Sequence, residues 1–397
     1  MDAPVIEQLV LLIVVGAIVA IAAHRLRIPY TVGLVLAGIV MAFLPLHIDV
    51  PFSKDFLFEV LLPPLIFEAA LYIDWRELRR DLLVVGTYAT VGVVLSAAVT
   101  AAIMHFVLGW PWPAAVLFGV LIAATDPVSI IATFKEAKVE GRIRLLVESE
   151  SLFNDSTAAI GFAAAVAIAV GESAGVGSVA WQLISSAFGG VAIGIITAVI
   201  ALLIIGRTKD NLAELSMTTF AAFGSFWAAE RFGLSGILAT TAAGLVIGNR
   251  IGRGSITEQG EESMAHFWEF AAFVVNSIIF IVLGINLAYQ NLAPFGLAIV
   301  VAIVAVIVGR GAAVYPLSAL FSRSKWKIDS QHQHILFWGG LRGALALALA
   351  LGVPDTLPYK QEILIVTFGV VSFSVFVQGS TVTPLMRYLG VLPVKKL

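Results

Sequence analysis

Residues Ala23–Val40, AHRLRIPYTVGLVLAGIV, and Ala229–Val246, AERFGLSGILATTAAGLV, align without a gap. Ala23/Ala229, Arg25/Arg231, Ala37/Ala243 and Gly38/Gly244 are identical; Leu26/Phe232, Ile28/Leu234 and Ile39/Leu245 are alike in kind. Each copy joins two apolar stretches. What the repeat means depends on how the chain is disposed between the copies.

Hydrophobic residues fill 59% of the 397 positions and charged residues 13%, against roughly 25% charged in soluble domains. A chain this apolar cannot hide its surface from water, so lipid is its solvent. The net charge of −2 gives no reason to expect a nucleic-acid partner, and the absence of cysteine excludes disulfides and thiol chemistry. The first apolar stretch, Val5 to Ala23, lacks a basic leader and is read as a retained helix.

Apolar runs predict thirteen spans, at about 5–23, 30–46, 55–73, 82–108, 113–135, 142–170, 177–206, 212–230, 235–249, 262–288, 293–321, 331–352 and 361–386. Positive charge tests the count, because Lys and Arg collect in cytoplasmic loops. With the N-terminus outside, 19 of the 24 Lys and Arg fall in inward-facing segments. Three (Lys54, Arg231, Lys360) fall in outward-facing ones, and Arg310 and Arg342 lie within spans. One span added or lost would scramble that split. The reading is therefore an all-α protein of a cell (plasma or inner) membrane, with its N-terminus outside and its C-terminus cytoplasmic. Seven spans, an odd number, separate the two repeat copies, so they lie in opposite orientations. Inverted repeats about 1–172 and 210–390, joined by a linking span at 177–206, form one membrane domain with no soluble domain expected. Such repeats recur in secondary transporters, with the site at midplane between them.

Four acids lie deep: Glu68 in span three, Asp126 in span five, and Glu150 and Asp155 in span six. An ionisable group inside a membrane is costly, which makes it a functional hypothesis by default. Glu68, Asp126, Asp155 and Arg342 sit about eleven to thirteen residues into their spans, or ~17–20 Å, near the middle of a ~30 Å core. Thr125-Asp126-Pro127 puts a proline at mid-span, which frees backbone carbonyls beside a carboxylate. In span six, Ser151 and Asp155 share one helical face, and Glu150 and Asn154 the adjacent one. Hydroxyl, amide and carboxylate oxygens suit a hard cation rather than a transition metal. Span twelve, the repeat mate of span five, carries Gly339-Gly340-Leu341-Arg342-Gly343-Ala344. Its glycines allow an interruption, and Arg342 is expected to offset surplus acid by pairing with Glu150. Arg310 in span eleven is read as structural or as a second counter-charge. Glu59, Glu148 and Glu269 read as ordinary interfacial charges, and no histidine lies mid-span.

Thr125-Asp126-Pro127, the run Glu150-Ser151-Leu152-Phe153-Asn154-Asp155, Phe67-Glu68 and Gly340-Leu341-Arg342-Gly343-Ala344 together resemble the NhaP-type sodium/proton antiporters and the wider sodium/hydrogen exchanger family. The resemblance covers the whole chain. It implies thirteen helices in two inverted six-helix repeats, with spans five and twelve broken and crossed, and a homodimer. It implies that Asp155, Asp126, Ser151, Thr125 (through its carbonyl) and Glu68 surround a transported Na⁺, and that Glu150 pairs with Arg342. No cofactor is implied beyond the transported Na⁺ or Li⁺ and H⁺. Electrogenic relatives carry two adjacent aspartates where this chain has Asn154-Asp155, so one proton for one cation is expected.

The expected function is thus Na⁺ (or Li⁺) for H⁺ exchange by alternating access, cation and proton competing for Asp155 and Asp126. K⁺/H⁺ exchange is the alternative within the class. A cation channel is disfavoured because no carbonyl-filter motif is present. An intramembrane serine protease would rest on Gly233-Leu234-Ser235-Gly236 alone, with no mid-span histidine as base.

Overall fold

The computed structural model describes residues 3–26, 28–44, 54–126, 134, 139, 141–171, 176–208, 210–250 and 256–392. Among them the regular structure is helical: α1 (Ala3–Leu26), α2 (Tyr30–Ala42), α3 (54–71), α4 (Trp75–Leu108), α5 (Trp112–Leu121), α6 (Arg142–Ala169) and α7 (Val176–Ile205). The chain continues through α8 (211–231), α9 (Gly236–Gly248), α10 (Glu258–Tyr289), α11 (Gly296–Leu320), α12 (Ser330–Trp338), α13 (Ala344–Leu351) and α14 (Lys360–Tyr388). Seven described helices are long and apolar enough to cross a membrane; α2, α5 and α9 are shorter apolar helices.

Boundaries follow local chemistry. Asp74 caps α4 by accepting the Arg76 N–H at 2.6 Å, satisfying one of the donors that a helix start leaves free. Gly109, at φ 71°, ends α4 in the left-handed region and donates to the His105 carbonyl, a conformation a Cβ would penalise. Pro111 then turns the chain into α5.

The helices sort into two groups. In one, α2 packs along α10, α9 along both α7 and α3, and α1 and α8 close the edges. In the other, α4 packs along α11 and α5, α5 along α6, and α14 along α11 and α13. Within each group, helices meet backbone to backbone at glycines. Gly38 lies against Gly284 and the Ile281 carbonyl, and Gly194 against the Ala239 carbonyl. Gly248 lies against Leu71, Gly119 against the Ala97 carbonyl, and Gly309 against Ser96. Among the described glycines, every such close approach joins helices of the same group. The two groups touch through side chains, chiefly where α6 meets α3, α7 and α9.

Two interruptions lie in the second group. Helix α5 ends at Leu121 and residues 124–126 run on without helix. Between α12 and α13, residues 339–343 are likewise unwound. Pro127, expected to break span five, falls outside the described residues.

Candidate ion-binding site

The two unwound segments meet main chain to main chain: the Asp126 N–H donates to the Leu341 carbonyl at 2.7 Å. This contact sets Asp126 beside Gly343, where a Cβ would overlap the Asp126 carboxylate. Gly343→Ala is therefore expected to displace Asp126 together with its stretch of unwound backbone, because the overlap reaches the Asp126 Cβ as well as the carboxylate. The half-saturating cation concentration in a vesicle assay should rise about tenfold or more, the equivalent of one strong charge-assisted contact. An unaltered value would show that Asp126 is not held there.

Helix α6 holds the first segment with Asn154. Its Oδ1 accepts the Thr125 N–H at 3.2 Å, and its Nδ2 donates to Thr125 Oγ1 at 2.6 Å and to Glu150 Oε1 at 3.0 Å. Asn154 is wholly buried, and these bonds replace the helical ones the unwound chain lacks. Thr125 Oγ1 and Ser151 Oγ lie 3.0 Å apart. Ser151 thus braces Thr125, while Thr125 itself reaches the cavity described below.

Glu150 is 3% exposed and pairs with Arg310, 7% exposed: Nη1 to Oε1 at 2.7 Å and Nη2 to Oε2 at 2.8 Å. The expected Glu150–Arg342 pair is replaced. The Arg310 fork also spans to the Leu336 carbonyl on α12, at 2.8 Å and 3.2 Å, so one planar guanidinium satisfies a carboxylate and a helix end together. Arg342 instead folds onto its own unwound turn, donating from Nη1 to the Gly340 carbonyl at 2.8 Å; its Nε is buried without a partner. Its backbone N–H donates to Ser374 Oγ in a π-turn of α14 (Ser374–Gln378).

Asp126, Asp155, Thr125 and Glu68 line one cavity of about 290 Å³. The unwound segments, α6 and α13 form one wall; Glu68 on α3 and residues of α2 and α10 form the other. Asp155 Oδ1 is buried with no hydrogen-bond partner, and Asp155 lies within electrostatic reach of Asp126, Glu150 and Arg342. A buried carboxylate oxygen left bare is costly unless a cation or a proton covers it. Among the described residues no three His, Cys, Asp or Glu side chains converge as a metal-binding group; the two aspartates and Glu68 line the same cavity from different helical groups.

The wall formed by α10 was not foreseen. Glu269, Ala272, Phe273 and Asn276 face the cavity at helical spacing, although Glu269 reads from sequence as an interfacial charge. Their i, i+3, i+4, i+7 pattern was the signal available.

The description "Sodium/hydrogen exchanger, transmembrane" matches residues 10–388. The chain belongs to the sodium/hydrogen exchanger family. Within that family it is 35% identical to the Na⁺/H⁺ antiporter ApNhaP of Aphanothece halophytica, over 98% of this chain and 75% of that protein. It is 36% identical to the low-affinity Na⁺/H⁺ antiporter NhaS1 of Synechocystis, over 92% of this chain and 70% of the relative. The exchanger fold is also that of the solved antiporter MjNhaP1 from Methanocaldococcus jannaschii, with a TM-score of 0.74 at 22% identity, covering 97% of this chain and 98% of that one. The family's relatives named here are transporters, not enzymes. Ser235, of the Gly-x-Ser-Gly match, is a helix cap: its side chain accepts the Leu238 N–H at 3.2 Å.

Proposed function

We propose that this chain exchanges Na⁺ or Li⁺ for H⁺ across the membrane, one for one, at Asp155 and Asp126. The observation that carries this reading is the bare Asp155 oxygen in a cavity shared with Asp126, where the unwound segments cross. The single bare carboxylate oxygen, on Asp155, supports the stoichiometry: Glu150 is answered by Arg310, which leaves Asp155 to take one cation or one proton in turn. A cation and a proton displace one another there, and the empty, charged site is the form least able to move through low dielectric. Thr125 and Glu68 complete the ion's surroundings, while Ser151, Asn154, Glu150, Arg310 and Arg342 hold its frame.

Thirteen passages in two inverted halves are the matching architecture. In support, the Gly38 and Gly244 of the repeated sequence make corresponding contacts: α2 meets α10 through Gly38, and α9 meets α3 through Gly244. Tyr30 at the start of α2 and Glu68 near the end of α3 both line the cavity. In the proposed topology these two helix ends lie toward the arginine-rich, cytoplasmic side. Alternating access then follows from moving the group that carries the crossed segments against the other.

The test is dissipation of a pH gradient by Na⁺, Li⁺ or K⁺ in proteoliposomes, with and without an imposed voltage. Na⁺ and Li⁺ are expected to drive it, at rates the voltage leaves unchanged. Acceleration by voltage would reject one-for-one exchange, and a response to K⁺ alone would reassign the cation.

A further inference from the structure

Helix α10 presents two polar side chains to the cavity, Glu269 and, two turns deeper, Asn276; Phe273 lies between them, stacked on Tyr30 of α2 at 5.4 Å. Asn276 is 8% exposed. Among the described residues its carboxamide has no hydrogen-bond partner. Two asparagines elsewhere in the same group of helices behave differently. Asn286 donates back to the Val282 carbonyl at 2.9 Å, and Asn249 bonds Ile73, Leu245 and Trp75. The Asn276 amide is open to the cavity rather than sealed in protein, so an ion there can reach it without breaking a protein contact.

We infer that Asn276 is a cation ligand contributed by the static wall, its Oδ1 replacing part of the hydration shell of the ion held at Asp155 and Asp126. The inference rests on the exchange reading above and deepens it. A neutral carboxamide oxygen suits a hard cation but does not take up a proton at neutral pH, so Asn276 favours one of the two competing substrates over the other. It also belongs to the group that does not carry the aspartates. It therefore acts only while the aspartates face this cavity, and the site is asymmetric: stronger for the cation on the cavity side than on the far side.

Two variants test this in vesicles of defined orientation, with Na⁺ supplied from either face. Asn276→Ala is expected to raise the half-saturating Na⁺ concentration on the cavity face about three- to tenfold, the loss of one ion–dipole contact. The far face and the maximal rate should stay within about twofold. Asn276→Leu, close in volume, removes the amide and breaks no protein hydrogen bond; it should melt close to the parent temperature while losing the same affinity. A merely structural asparagine gives the reverse, lower melting with no side-specific change. Unaltered half-saturation, or an equal rise on both faces, would overturn the inference while leaving the exchange reading intact. A parent chain that shows no Na⁺-dependent proton movement at all would bring down both.

Discussion

Asp155→Asn is expected to reduce Na⁺-driven proton movement in proteoliposomes to the leak of protein-free vesicles. The substitution keeps the shape of the side chain, which occupies a cavity wall beside Asp126, and removes its charge. With Asp155 neutral, the oxygen for which cation and proton compete no longer carries charge, and the competition that couples the two flows disappears. Stability should move the other way. The parent buries a carboxylate oxygen with no partner, and replacing an uncompensated buried charge by a neutral amide is neutral or stabilising. The variant is thus expected to melt at or above the parent temperature while transporting nothing. Residual exchange at the parent rate would remove Asp155 from the site, and a lowered melting temperature would mean that its charge is needed to hold the fold.

The second large effect concerns stability. Arg310→Met leaves Glu150 charged and buried, with only the Asn154 amide at 3.0 Å to answer it, and frees the Leu336 carbonyl as well. Breaking a buried pair from one side costs about 3–5 kcal/mol, enough to lower the melting temperature of the purified protein by many degrees. Adding Glu150→Gln to the same chain should recover much of the loss, because the orphaned charge goes with it. A double-mutant cycle over the four proteins should return a coupling energy at the upper end of the usual range for contacting residues, roughly 3 kcal/mol. Arg342→Met should couple to Glu150→Gln far more weakly, since the Arg342 guanidinium donates to Gly340 and not to Glu150. Stronger coupling through Arg342 would return the pairing to the one expected from sequence.

That pairing illustrates what a sequence of this kind exposes and what it hides. Hydropathy and charge locate apolar stretches because the bilayer is a one-dimensional solvent: depth along its normal is written in the order of residues. Depth picks out Glu68, Asp126, Asp155 and Arg342; the three acids line the cavity, and Arg342 does not. Helical spacing within a single helix was equally readable, and Asn154 does reach Glu150 across one turn. Rotation about a helix axis relative to a neighbour is another matter. Arg310 and Arg342 both lie inside spans, and nothing in the linear order says which turns toward Glu150. The same blindness hid Asn276 and Glu269, since the inward face of α10 depends on how Gly38 and Gly284 let α2 lie on it. Ser151 reads from sequence as sharing a face with Asp155, but its hydroxyl is engaged by Thr125, a contact created only where α5 stops being a helix.

The distribution of glycines carries a mechanical consequence. Where main chains interlock, as at Gly38 on Gly284 or Gly119 on Ala97, sliding by even a fraction of a turn would drive atoms through one another. Such seams are welded on the timescale of transport. Among the described glycines none interlocks main chains across the seam between α6 and its neighbours α3, α7 and α9. In the exchange proposed above, the two groups would move past each other as a piston moves in a sleeve, with no helix required to bend.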